Sequence, residues 1–211
     1  MTPPSPGGGT LEMTYPPSVQ KLIDAFSKLP GVGPRTAARY VFYLMNHDAA
    51  AADGLADAVS ALKRRVKTCR LCFNVFESEK EICDVCASAR RNNKLLCIVA
   101  NETDLAAIEA VQTYDGLYFV LGGTMTGIKK ENHKNLRFKE LEQRVKNNHA
   151  LKEVILGFNP TVDGQTTIMY LQRQLKPHNV KISRLGLGLP VGAELEYADE
   201  ETLASAISGR K

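Results

Sequence analysis

Two Cys-x-x-Cys pairs, Cys69/Cys72 and Cys83/Cys86, separated by ten residues, constrain this chain more than any other feature. Each pair can turn two thiolates toward one ion through a short knuckle, and two knuckles complete a tetrahedron. Four soft thiolates suit zinc, and a site closed by four protein ligands keeps no open position for a substrate. The surrounding segment has too few apolar residues for a core of its own, so metal binding is expected to supply its folding free energy. A redox Cys-x-x-Cys would instead be a single pair beside a βαβ pattern. The expectation is one structural zinc ion per chain on Cys69, Cys72, Cys83 and Cys86, holding the join between a helical part and an α/β part. The fifth cysteine, Cys97, lies inside the apolar run Leu95–Ala100 and reads as a small buried hydrophobe.

The flanks of this segment differ in kind. Residues 1–14 are rich in Pro, Gly and Ser without an apolar period and read as a flexible tail, with Met13 a plausible second start. From Tyr15 the pattern is helical, through Val19, Leu22, Ile23 and Phe26. A second helix opens near Arg35, with Ala38, Val41, Phe42 and Met45 on one face, and a third spans Asp53–Val66 through Leu55, Val59 and Leu62. After the cysteines, the strand candidates Leu95–Ala100, Leu117–Leu121, Val154–Phe158 and Val180–Leu185 alternate with the helix candidates Asp104–Gln112, Asn135–Asn148 and Gly164–Leu175. Such alternation predicts a parallel sheet with flanking helices, and Asp199–Ser208 closes the chain as a short helix. The expected parts are 1–14, 15–66, 67–92, 93–176 and 177–211.

A composition of 44% hydrophobic and 24% charged residues excludes a mostly disordered chain. No apolar run approaches bilayer length, and the N-terminus has neither a positive n-region nor an apolar h-region. A cytoplasmic protein with reduced thiols is expected, with no membrane partner. Residues 1–96 hold 13 Lys and Arg against 9 Asp and Glu, whereas the remainder holds 14 of each, so the excess positive charge sits N-terminally. Basic charge gathered on one module suits a polyanion, although a solvated basic surface has the same composition.

The break between the first two helices, Leu29-Pro30-Gly31-Val32-Gly33-Pro34-Arg35, sharpens that reading. Gly31 and Gly33 permit close backbone approach, so that successive N–H groups can face one anion beside a helix N-terminus. Arg35 and Arg39 stand four apart on the same side. This looks like a helix-hairpin-helix, which grips the nucleic-acid backbone without reading bases. An ordinary turn between helices explains one glycine at a C-cap but not the whole unit.

Helix-hairpin-helix, four-cysteine zinc finger and α/β part in this order resemble the bacterial RecR family of recombination mediators. The stretches Asn159–Gly164 and Gly188-Leu189-Pro190-Val191-Gly192-Ala193-Glu194-Leu195-Glu196-Tyr197-Ala198-Asp199-Glu200 look like that family's signatures, and the similarity runs from about Tyr15 to Lys211. The resemblance implies that the α/β part is a Toprim domain and that the last segment is Walker-B-like. It further implies a ring-shaped tetramer that holds single- or double-stranded DNA without sequence preference. Such a ring acts at the nucleoid with RecO-like and RecF-like partners to load recombinase on gapped DNA.

The chain departs from that pattern where a Toprim enzyme holds Mg²⁺ on a Glu and an Asp-x-Asp. Ala100 stands where RecR relatives usually carry the Glu, no Asp-x-Asp occurs, and Lys129-Lys130 replace an expected acidic-glycine segment. Glu102 and Asp104 are read as acidic remnants nearby. Lys129 and Lys130, with His133, Lys134, Arg137 and Lys139, read either as a second phosphate-attracting surface or as a solvated loop. Asp163 is expected to cap the helix after it. Gly186–Gly192 lacks the Lys and Ser/Thr of a nucleotide-binding loop, so no ATP hydrolysis is expected. The acidic end around Glu194, Glu196, Asp199, Glu200 and Glu201 suits a basic partner or a solvated helix start. A non-catalytic scaffold is therefore expected, the alternative being an Mg²⁺-dependent Toprim-type enzyme that nicks or joins nucleic acid.

Overall fold

A computed structural model describes residues 15–125, 136–189 and 191–209. The chain divides between Arg64 and Arg65 into two compact units. No helix among the described residues is long and apolar enough to cross a membrane.

In the first unit, α1 (Pro17–Ser27) and α2 (Pro34–Asn46) pack against each other, followed by α3 (Ala49–Arg65). Proline opens both α1 and α2, where its missing N–H costs no helical hydrogen bond. Val19 and Ile23 of α1 pack against Ala37 and Val41 of α2, with Tyr15, Phe26, Val32, Ala38 and Phe42 around them. Met45, expected on this apolar face, is exposed, and Ala37 takes the inward place. The third helix starts at Ala49 rather than Asp53, because Ala49–Ala52 are strong helix formers. Its apolar stripe is not buried: Leu55, Val59 and Leu62 are 42%, 60% and 59% exposed.

The second unit begins with the antiparallel hairpin β1 (Val66–Thr68) and β2 (Val75–Glu77), then the one-turn helix α4 (Asp84–Ala87). Next come β3 (Asn92–Val99), α5 (Glu102–Ala110), β4 (Gly116–Val120), α6 (Phe138–Asn147), β5 (Glu153–Gly157), α7 (Val162–Leu175), β6 (Lys181–Arg184) and α8 (Glu200–Ser208). The last four strands form one parallel sheet in the order β4-β3-β5-β6, with Cys97 of β3 in register with Tyr118 on one side and Ile155 on the other. The near-continuous apolar runs reflect a sheet covered on both faces.

One face packs Leu96, Ile98, Phe119, Val154 and Leu156 against Leu141 and Val145 of α6 and Ile168, Leu171 and Leu175 of α7. On the other face, Cys97, Val99, Tyr118 and Val120 meet Leu105 and Ile108 of α5, together with Phe73 and Val85 from the cysteine segment. Burial pushes the Cys97 thiol up to about 12, which suits an inert core residue. Arg91, ahead of the core of β3, pairs with Glu109 of α5 and donates to the carbonyls of Tyr114 (3.3 Å) and Gly116 (3.4 Å).

The starts of α5 and α7 also differ from expectation. The helix after β3 begins at Glu102 because the Asn101 N–H donates to Asp104 Oδ2 (3.1 Å), a reciprocal cap that fixes the first turn two residues earlier. The cap of α7 is Thr161, whose Oγ1 accepts from Gly164 N (3.1 Å), not Asp163. Thr161 keeps extended backbone while Val162 is already helical, so only Thr161 has cap geometry. Asp163 lies inside the first turn, where its charge favours the helix dipole.

Candidate metal centre and nucleic-acid interface

The sulfur atoms of Cys69, Cys72, Cys83 and Cys86 all lie within 4.8 Å of one another, and the first three residues are buried. A regular tetrahedron at a zinc–sulfur distance of about 2.3 Å has edges of about 3.8 Å, so small adjustments close the set on one ion. Cys69 and Cys72 sit in the turn joining β1 to β2, where Phe73 N donates to Cys69 O (2.9 Å) and Cys69 N to Asn74 O (2.8 Å). Cys83 and Cys86 flank the start of α4, and Cys83 N donates to Cys69 Sγ (3.4 Å), tying one knuckle to the other. Leu71, Phe76, Ile82 and Val85 surround the sulfurs.

The electrostatics of the cluster favour a cation. Hydrogen bonds from Cys72 and Cys86 pull the Cys83 thiol down, while hydrogen bonding to Cys83 holds Cys72 up, hydrogen bonding to Cys72 and then Cys83 holds Cys86 up, and burial adds to both. Four thiols this close share one negative charge readily and more only when a positive ion neutralises them. The donor set therefore fits a tetrahedral thiophilic metal. Phe73, in the left-handed region at φ 63°, carries the knuckle onto the sheet. Its ring packs edge-on against Phe119 at 5.3 Å and lies 4.9 Å below the Arg137 guanidinium. Val120 of the edge strand β4 donates its N–H to Cys72 O (2.8 Å), and its carbonyl accepts from Arg137 (3.0 Å).

In the first unit, the hairpin is a tight turn. Val32 N donates to Leu29 O (3.1 Å), with Pro30 second and Gly31 third at φ 78°, the arrangement that calls for Pro and then Gly. Gly33 is the N-cap of α2, with φ −83° and no side chain capping the helix. A Cβ at Gly33 would meet no atom within 4 Å, so neither backbone conformation nor internal packing demands glycine there. With Pro34 lacking an N–H, the amides of Arg35 and Thr36 are the free donors of the first turn, and no acidic residue occupies it. Arg35 and Arg39 are exposed, and neither has an ion-pair partner among the described residues. Open glycines, free amides and two unpaired guanidiniums thus occupy neighbouring positions at one helix start.

Three family profiles match the chain: RecR helix-hairpin-helix over residues 19–63, Toprim domain over 94–186, and RecR C-terminal over 188–211. The Recombination protein RecR of Chloroherpeton thalassium is 40% identical over 196 residues, covering 92% of this chain and 96% of the relative. Those of Cutibacterium acnes and Dehalococcoides mccartyi are each 42% identical, over 93% and 92% of this chain and 96% and 94% of the relatives. The chain belongs to the RecR family.

Within that family's Toprim region, the structure accounts for the acidic positions in helix terms. Ala100 follows the C-terminal end of β3 and is buried. Glu102 and Asp104 both lie in the first turn of α5, and Asp104 is engaged in capping Asn101. Among the described residues, the only group of three or more His, Cys, Asp or Glu placed to share a metal ion is the cysteine set. The Asp199 carboxylate caps α8 by accepting from Thr202 N (2.9 Å), so part of the acidic end serves a helix start. Lys129, Lys130, His133 and Lys134 lie outside the described residues. Arg137, read with them as phosphate-attracting, is committed to Phe73 and the Val120 carbonyl instead.

Sequence reasoning missed Tyr43 and His47. Both are exposed at the end of α2, with rings 3.8 Å apart and 29° from parallel. Their signal was the four-residue spacing Arg35, Arg39, Tyr43, His47, hidden because the tyrosine sits among the apolar residues of an amphipathic helix.

Proposed function

We propose that this chain is a DNA-binding recombination mediator of DNA repair that holds nucleic acid without cutting it. The observation that carries the reading is the start of α2, where open Gly31 and Gly33, uncapped amides and unpaired Arg35 and Arg39 form a cradle open to a phosphate. Membership of the RecR family and the relatives' name, Recombination protein, support the wider role. In this reading Gly31, Gly33, Arg35 and Arg39 contact the sugar-phosphate backbone, with Lys129 and Lys130 as a second phosphate-attracting loop. Cys69, Cys72, Cys83 and Cys86 hold one structural zinc ion, which keeps the knuckle folded. The chain works in the cytoplasm at the nucleoid, as a ring tetramer with RecO-like and RecF-like partners. The apolar residues exposed on α3 suit coverage by another protein surface.

Replacing Arg35 and Arg39 together with Ala is expected to weaken binding to unrelated duplex sequences by a similar factor. It should also make the dependence of log affinity on log salt shallower by about 1.8, the equivalent of two phosphates. Titrations over a range of salt concentrations measure both effects, and loss confined to one sequence would contradict a backbone grip. Incubation with supercoiled plasmid and Mg²⁺ should leave the plasmid intact while a gel shift reports binding. The basis is Ala100 at the strand end and Asp104 bound to its own helix. Accumulation of nicked circles would restore the enzymatic alternative.

A further inference from the structure

Arg35, Arg39 and Tyr43 recur at four-residue intervals on α2, and His47 continues the series at its C-cap. Each step advances about 40° around the axis and about 6 Å along it, so the four form a gently winding stripe. That stripe lies away from Ala37 and Val41, which face α1, and α2 carries no acidic residue. It therefore runs from the phosphate cradle, through a second guanidinium, to an aromatic ring. Tyr43 is 57% exposed, so one face of its ring is open to a ligand.

The ring is also held in place. His47 Nδ1 donates to the Tyr43 carbonyl (2.8 Å), which fixes the imidazole at the helix end, and the imidazole stacks on one face of the phenol ring. Ordering both rings before any ligand arrives lowers the entropy lost on binding. A base needs only a π-face to stack on, whereas the bases of a duplex already cover one another.

We infer that Tyr43, backed by His47, is a stacking platform for a base of single-stranded DNA whose phosphates lie on Arg39, Arg35 and the hairpin. This rests on the DNA-binding reading above. Tyr43 thereby gives the first unit a preference for single strands that a phosphate grip by itself does not provide.

The test compares three labelled ligands of equal length on the full chain: oligothymidylate, an abasic strand of the same charge, and a duplex. Tyr43→Ala should weaken thymidylate binding by about fivefold or more, change abasic and duplex binding by less than about twofold, and leave the salt slope unaltered. Tyr43→Phe should bind like the parent, since stacking does not use the hydroxyl. Melting and sedimentation of Tyr43→Ala should match the parent. Equal loss on all three ligands, no loss on thymidylate, or a changed molecular mass would overturn the inference, the last by assigning the ring to a subunit contact. If the parent bound none of the three, the DNA-binding reading itself would fail, and this inference with it.

Discussion

Replacing Cys83 with Ser is expected to take bound zinc from one ion per chain to near none and to lower the melting temperature sharply. The structural reason is that Cys83 Sγ lies 3.5 Å from Cys72 Sγ and its own N–H reaches Cys69 Sγ, so its loss opens both knuckles. Structural zinc in comparable small sites is worth about 10–16 kcal/mol, far more than the few apolar contacts around these sulfurs can replace. Because the metal displaces thiol protons, zinc retention should rise with pH over the range in which the cysteines ionise. Metal analysis paired with calorimetry measures both quantities. A zinc-free preparation that melts like the loaded protein would show that the knuckle does not depend on its ion.

The second large effect is expected at Gly164, in the first turn of α7. A Cβ there would stand 2.0 Å from the Asn159 carbonyl oxygen and 3.2 Å from Thr161 Oγ1. The obstacle is backbone, so either the turn after β5 must shift or the start of α7 must unwind and lose its Thr161 cap. Gly164→Ala should destabilise the fold by about 3 kcal/mol or more, outweighing the helix-propensity gain of about 1 kcal/mol. Gly54→Ala in α3 is the counterpart, since a Cβ there meets nothing within 4 Å and the propensity gain remains. Urea unfolding of both variants should give shifts of opposite sign. A Gly164→Ala protein as stable as its parent would mean that the turn is free to relax.

Local chemistry was legible in the chain and long-range placement was not. The paired cysteines announce their site because a shared ion imposes a spacing that few other structures need. The central strands read clearly because Leu96–Val99 and the facing stretches of β4 and β5 are largely buried and carry almost no polar interruption, whereas β6, Lys181–Arg184, is partly exposed at the sheet margin. Helix periodicity at Leu55, Val59 and Leu62 identified α3 correctly, but amphipathicity says nothing about what covers a face. Thr161 and Asp163 are both good capping types, and the choice between them depends on where the chain leaves β5. Glu102 and Asp104 looked like remnants of a metal site because carboxylates serve metals and helix starts equally well. The docking of the knuckle on the sheet rests on one backbone hydrogen bond and the side chains of Phe73 and Val85, and no residue pattern encodes a contact between Cys72 and Val120.

That contact gives the metal a second consequence. All five residues of β4 are buried although the strand lies at the margin of its sheet. A margin so apolar would normally invite a foreign strand to add to it. Here the position is occupied: Cys72 of the knuckle takes the outward N–H of Val120, while Arg137 takes its carbonyl and Arg91 that of Gly116. Loosening the knuckle would uncover the Val120 end of this edge. In the proposed reading, a metal ion on the four cysteines thus also helps to keep this margin covered. Stripping it should raise the protein's tendency to self-associate, as light scattering before and after chelation would measure.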